Sequence, residues 1–106
     1  MNGWVLQTTD PPEAPTLTFR LAPGTVRTMG RAAPADFVLA GRMVSRVHCR
    51  LIATDSGELE VEDLASTNGT FVNGRRVART VLVAGDRIRL GRVELTVARA
   101  SVVLEQ

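Results

Sequence analysis

Apolar and polar residues alternate with a period of two along most of the chain. Leu17, Phe19 and Leu21 interleave with Thr16, Thr18 and Arg20, Leu59 and Val61 with Glu58, Glu60 and Glu62, and Val93, Leu95 and Val97 with Glu94, Thr96 and Ala98. Half-buried strands carry this signature, and no window of helical period competes with it. Turn residues stand between the runs at Pro23-Gly24, Gly41, Asp55-Ser56-Gly57, Asn68-Gly69, Asn73-Gly74, Gly85-Asp86 and Gly91. The pattern predicts strands at Trp4–Thr8, Thr16–Leu21, Val26–Gly30, Phe37–Leu39, Val47–Ala53, Leu59–Asp63, Thr70–Val72, Arg75–Val77, Arg87–Leu90 and Val93–Arg99. Many short strands closing on one another indicate an all-β sandwich or barrel.

The 106 residues fit one domain, which at this size buries roughly two-thirds of its unfolded surface. Residues 1–15 read as an N-terminal strand followed by a Pro-rich connection from Asp10 to Pro15, residues 16–99 as the main body, and residues 100–106 as a tail. Trp4 is expected to pack in the core or at its edge. Cys49 is the single cysteine and has no partner within the chain, so no disulfide framework is expected. No apolar run approaches the ~20 residues of a membrane span, and Met1 to Asp10 lacks the basic start and apolar stretch of a signal peptide. A cytoplasmic protein without a membrane partner is therefore expected.

All 13 basic residues are arginine, against 11 acidic ones, for a net charge of +2. This excess is too small to indicate a nucleic-acid protein, although arginine suits recognition of an anion at one place. Three polar clusters lie in predicted loops: Gly30-Arg31, Ser45-Arg46-Val47-His48 and Ser66-Thr67-Asn68-Gly69-Thr70. The last holds more hydroxyls than its Asn-Gly turn needs. Together the clusters offer a guanidinium, hydroxyls, an amide and backbone N–H groups beside glycine, an inventory that mostly donates hydrogen bonds. Donors of this kind suit a phosphate dianion. Loops at one end of a sandwich bring distant residues together.

Catalysis is not expected. Ser45, His48 and Asp63 could in principle form a triad, but residues three apart on an extended segment face opposite sides, and no strand–turn–helix elbow surrounds Ser45. Cys49 should point away from His48 and behave as a small buried hydrophobe. One His and one Cys do not supply the three or four ligands of a metal site, and no cofactor is implied.

Five motifs, in order, extend over nearly the whole chain: M-G-R at Met29–Arg31, D-F-V-L at Asp36–Leu39, V-S-R-V-H-C at Val44–Cys49, E-D-L-A-S-T-N-G-T-F-V-N-G at Glu62–Gly74 and G-D-R-I-R-L-G at Gly85–Gly91. In this the sequence resembles the forkhead-associated (FHA) domain, a phosphothreonine-peptide recognition module. The resemblance implies a two-sheet β-sandwich of about eleven mostly antiparallel strands that binds at its loop tips. At the matching positions Arg31 and Ser45 would hold the phosphate, Thr67 would add a hydroxyl, and Arg46 and Asn68 would contact the peptide main chain. His48 would tie the loops together, with Gly30, Gly69 and Asn73 also supporting the site. The partner implied is a phosphothreonine protein made by a Ser/Thr kinase and bound by a monomer, with the third residue after the phosphothreonine as main selector.

The segment A-G-R-M-V between Leu39 and Ser45 departs from the family, which often carries an acidic residue there, and Arg42 is read as pointing into solvent. Thr8 and Thr9, in a segment expected to be mobile, are candidates for phosphorylation that would create a self-ligand. The rival reading is an FHA-fold scaffold that assembles without phosphate through a sheet face or an edge strand.

Overall fold

The computed structural model describes residues 2–101, which form eleven strands. They are β1 (Asn2–Asp10), β2 (Thr18–Leu21), β3 (Thr25–Gly30), β4 (Phe37–Val38), β5 (Cys49–Ala53), β6 (Leu59–Asp63), β7 (Thr70–Val72), β8 (Arg75–Val77), β9 (Arg79–Leu82), β10 (Arg87–Leu90) and β11 (Val93–Ser101). One sheet has the order β2-β1-β11-β10-β7-β8 and the other β4-β3-β5-β6-β9. All pairings are antiparallel except β3 with β4. This is the two-sheet sandwich that the alternation and the family resemblance imply.

The period of two becomes a core because alternate side chains of a strand leave opposite faces. Trp4 and Leu6 of β1, Leu95 and Val97 of β11, and Ile88 and Leu90 of β10 are buried in one sheet, and Leu51, Leu59, Val61 and Leu82 in the other. Phe19 stacks on Phe37 with ring centroids 5.0 Å apart. Trp4 is a core residue, 3% exposed, and the Arg99 guanidinium lies 4.2 Å from its ring centroid, within cation–π range.

Several sequence expectations change. Strand β9 was not foreseen: Ala78 alone separates it from β8, yet the chain changes sheet there. Strand β5 begins at Cys49 rather than Val47. Thr8 and Thr9 lie within β1, where the Thr8 hydroxyl accepts the Leu17 N–H (2.8 Å) and the Thr9 hydroxyl donates toward Glu94 (3.4 Å), so this segment is a paired strand and not a mobile one. Ala100 and Ser101 belong to β11, opposite Gly3 and Asn2, and the rest of the expected tail, residues 102–106, lies outside the described residues.

The β10–β11 turn, the β4–β5 connection and the β6–β7 connection meet at one end. Arg92 N–H donates to the Arg42 carbonyl (3.2 Å), and the Asn68 amide nitrogen donates to the Met43 carbonyl (3.0 Å). The site is built at this end.

Candidate functional site

Arg31 is the first residue after β3. Its backbone N–H donates to the Ser45 carbonyl (2.9 Å) and its guanidinium Nη1 to the Val44 carbonyl (3.0 Å). The guanidinium is thereby anchored beside Ser45 with four of its five N–H donors uncommitted. Gly30 makes the approach possible. A Cβ there would overlap the Arg46 carbonyl and stand 2.8 Å from Val47 Cα, so only glycine lets β3 run this close to the 45–47 segment. Ser45 in turn reaches the third cluster, because its Oγ accepts the Thr67 N–H (3.0 Å). That leaves the Ser45 hydroxyl hydrogen free to donate outward.

His48 holds this arrangement from below. Its ring is fully buried, Nδ1 accepts the Ser45 N–H (3.0 Å), and Nε2–H donates to the Gly69 carbonyl (2.9 Å). One side chain therefore joins the β4–β5 and β6–β7 connections and is fixed as the neutral Nε2–H tautomer. Residues 45–48 fold back to allow this, which corrects the expectation that Ser45 and His48 face opposite sides. The contact runs from ring to backbone, however, and the Ser45 hydroxyl is not activated by it.

Burial pushes the His48 pKa below its ordinary value of 6.5, against the raising influence of the Gly69 carbonyl and of Asp63. A depressed pKa means that the unfolded chain binds the proton first, so the contribution of neutral His48 is full above about pH 6.5 and is lost as pH falls toward the folded-state value. The unfolding free energy from urea denaturation should therefore fall as pH is lowered below about 6.5, by up to about 1.4 kcal/mol per pH unit from this residue. A His48→Gln variant should lack that component, and equal slopes in parent and variant would refute the neutral-histidine assignment.

Asp63 is the second support. Strand β6 turns Leu59 and Val61 inward, and the alternation places Asp63 on the same face, opposite Cys49. Its Oδ1 accepts hydroxyl hydrogens from Ser66 (2.5 Å) and Thr70 (2.7 Å), and its Oδ2 accepts the Ser66 N–H (3.1 Å). Partial burial works against its charge, but the Ser66 and Thr70 hydrogen bonds outweigh it and hold the carboxyl below the usual range. The Ser66 Oγ also accepts the Gly69 N–H (2.9 Å). Because Thr70 belongs to the other sheet, the carboxylate ties the two layers together at the site end.

The surplus of hydroxyls thus divides. Ser66 and Thr70 are buried and turned to Asp63, while Thr67 is exposed at the tip. Arg31, Ser45 and Thr67 are brought together, Arg46 is exposed beside them, and Asn68 retains its side-chain oxygen and one N–H. Gly69 sits at φ +90°, with the Arg76 side chain packed over it. Asn73 lies at the far end of β7, where its side chain bonds Asp86 (2.9 Å) and Arg87 N–H (3.0 Å); it shapes the β7–β8 hairpin, and among the described residues its hydrogen bonds do not reach Arg31, Ser45 or Thr67. Arg42 is exposed.

Sequence reasoning missed Asp63, Ser66 and Thr70 as supports, and also the positive φ of Met43 (67°) and Ala65 (54°). Non-glycine residues in that region carry strain that surrounding structure must hold in place, and here both flank the site. Cys49 is buried, and its thiol is pushed up to about 12 by burial and by Asp63, so it is an inert core residue. No cluster of three or more potential ligands for a metal ion is found among the described residues, nor is there a helix long and apolar enough to cross a membrane.

The model of the FHA domain family matches residues 27–91, which span β3 to the β10–β11 turn. The chain belongs to the FHA family. Among solved FHA structures, that of the CT664 protein from Chlamydia trachomatis superposes with a TM-score of 0.83 at 26% identity, over 91% of this chain and 96% of that one. The FhaA FHA domain complexed with the intracellular domain of Rv3910 gives a TM-score of 0.77 at 36% identity, over 89% of this chain and 98% of that one. Among curated proteins, the ABC transporter ATP-binding/permease protein Rv1747 of Mycobacterium tuberculosis is 44% identical over 77% of this FHA chain, a match that takes up 9% of the transporter protein. The oxoglutarate dehydrogenase inhibitor of Corynebacterium efficiens is 40% identical over 64% of this chain and 47% of its own length. The chain therefore spans less than half the length of these two curated relatives.

Proposed function

We propose that this FHA domain is a non-enzymatic, phosphothreonine-dependent adaptor that binds a phosphorylated protein segment at its loop tips. The observation that carries the reading is the convergence of Arg31, Ser45 and Thr67. The guanidinium is anchored one residue from Ser45, and the Ser45 hydroxyl is bonded to Thr67. Arg31 and Ser45 take the phosphate, Thr67 adds a third donor, and Arg46 and Asn68 hold the peptide main chain. Gly30, His48 and Gly69 keep these groups in place. The complex of FhaA with the intracellular domain of Rv3910 and a further FHA structure concerned with phosphothreonine-dependent interactions, 36% identical to this chain, support carrying this mode of binding over. A cytoplasmic monomer reading the products of a Ser/Thr kinase completes the proposal.

Charge-assisted hydrogen bonds contribute about 1.5–3 kcal/mol each, so three give roughly 5–9 kcal/mol. Immobilising a peptide costs at least about 4 kcal/mol, whereas a micromolar complex needs about 8 kcal/mol net. Phosphate contacts alone fall short, and residues flanking the phosphothreonine supply the remainder.

Calorimetric titration with a phosphothreonine peptide, before and after phosphatase treatment, tests the reading. Micromolar binding that disappears with the phosphate is expected, and undiminished binding afterwards would refute it. That second result would favour a phosphate-independent scaffold. The feature nearest to such a surface is Val26 and Val81, each 48% exposed on the β4-β3-β5-β6-β9 sheet, but Glu60 stands between them in the register with its own partner Arg79.

A further inference from the structure

A groove of about 530 Å³ runs beside the loop tips, between the Pro-rich β1–β2 connection and residues 39–42. Pro11, Pro15 and Leu17 give it an apolar surface backed by the buried Leu39 and Val93, and Leu17 stands 40% exposed there. Its lining also carries three guanidiniums, of Arg42, Arg89 and Arg92, against the one carboxylate of Asp10. Arg89 is already occupied, within 3.5 Å of both Asp10 and Glu94. Arg42 and Arg92 are exposed and form no ion pair among the described residues.

The walls of this groove are fixed by close backbone approach. A Cβ on Gly41 would stand 2.5 Å from Val93 Cγ2, and one on Gly91, at φ +59°, would stand 2.6 Å from the Met43 carbonyl carbon. The Arg92 N–H bonds the Arg42 carbonyl (3.2 Å). The same segment forms part of the loop tips, since Met43 accepts the Asn68 amide (3.0 Å) and Ser45 follows Arg42 by three residues. Three residues span at most about 11 Å, so a bound peptide crosses from the tip to the groove within a few residues.

We propose that this groove is a second docking subsite, which takes an acidic and apolar segment of the same phosphorylated partner. Carboxylates of that segment pair with Arg42 and Arg92, and an aliphatic side chain covers Leu17. The proposal rests on the phosphothreonine reading of the tips. It assigns Arg42, where the sequence departs from the family, a role in partner choice rather than mere solvation.

The test uses a short phosphothreonine peptide and two longer ones that continue it with alternating Glu and Leu, one beyond each end. One of the longer peptides should bind about tenfold more tightly than the short one, the gain expected from a buried aliphatic group with rim ion pairs, and the gain should shrink as salt is raised. An Arg42→Ala/Arg92→Ala double variant should lose that gain while holding the short peptide within twofold of the parent. No gain from either extension, or a gain that survives the double variant, overturns the groove and leaves the tip reading standing. Failure of the short peptide itself to bind overturns the tip reading and the groove together.

Discussion

Replacing Arg31 with alanine should abolish measurable phosphopeptide binding and leave the fold intact. The side chain is exposed, and among the described residues it makes a single hydrogen bond, to the Val44 carbonyl. Its removal should cost the fold no more than about 1 kcal/mol. Binding is different, because the guanidinium is a formal charge anchored by the Val44 carbonyl beside Ser45 and Thr67. Truncating one partner of a hydrogen-bonded charge pair costs about 2–5 kcal/mol, roughly thirtyfold to several thousandfold in affinity. A micromolar complex would then weaken to between tens of micromolar and millimolar, where heats become small or undetectable. Arg31→Lys should recover only part of the loss, since an ammonium lacks the planar fork. An Arg31→Ala protein with parental affinity would remove Arg31 from the site.

Replacing His48 with alanine should have the largest effect on stability. The ring is fully buried, and its loss strands the Ser45 N–H and the Gly69 carbonyl that it now pairs. Each unsatisfied group costs about 1–3 kcal/mol, and the vacated volume adds to that. A total of about 3–5 kcal/mol is a large part of the 5–15 kcal/mol typical of a domain. Peptide affinity measured on the folded fraction should also fall, because the bridge between the two connections carrying Ser45 and Thr67 is gone. Urea denaturation and titration at low temperature separate these effects. A midpoint within about 0.5 kcal/mol of the parent, the range of an ordinary surface change, would show that the bridge does not support the fold.

These two residues also show what alternation and spacing reveal. Strand identity followed from period two wherever one face is buried, as in Leu59 and Val61 or Val93, Leu95 and Val97. It failed at β9, where only Leu82 of Arg79–Leu82 is buried and Val81 is 48% exposed, so the strand has no alternating pattern to find. It failed again at Val47 and His48, because His48 is drawn under the loops by hydrogen bonds rather than by strand pairing. Arg31, Ser45 and Thr67 were named from donor chemistry and family motifs, and folding brings them together as the loops of a sandwich end allow. Asp63 was open to the same reasoning. An acidic residue in a core-facing register, three positions before Ser66, is both a buried-charge anomaly and a side-chain-to-backbone turn signal. The His48 ring pairs with the Ser45 N–H and the Gly69 carbonyl, and Asp63 with Ser66 and Thr70. The groove beside Arg42 could not be seen in the sequence, because it depends on how closely Gly41 and Gly91 let two distant segments approach.

The long pairing of β1 with β11 has one more consequence. Asn2 faces Ser101, and Asp10 faces Glu94; nine residues of strand, roughly 27–30 Å of extended chain, separate these two ends of the ladder. The start of β1 and the end of β11 therefore lie side by side, at the pole away from the loop tips. The loop tips proposed to take the phosphate thus lie a ladder's length from the paired ends Asn2 and Ser101.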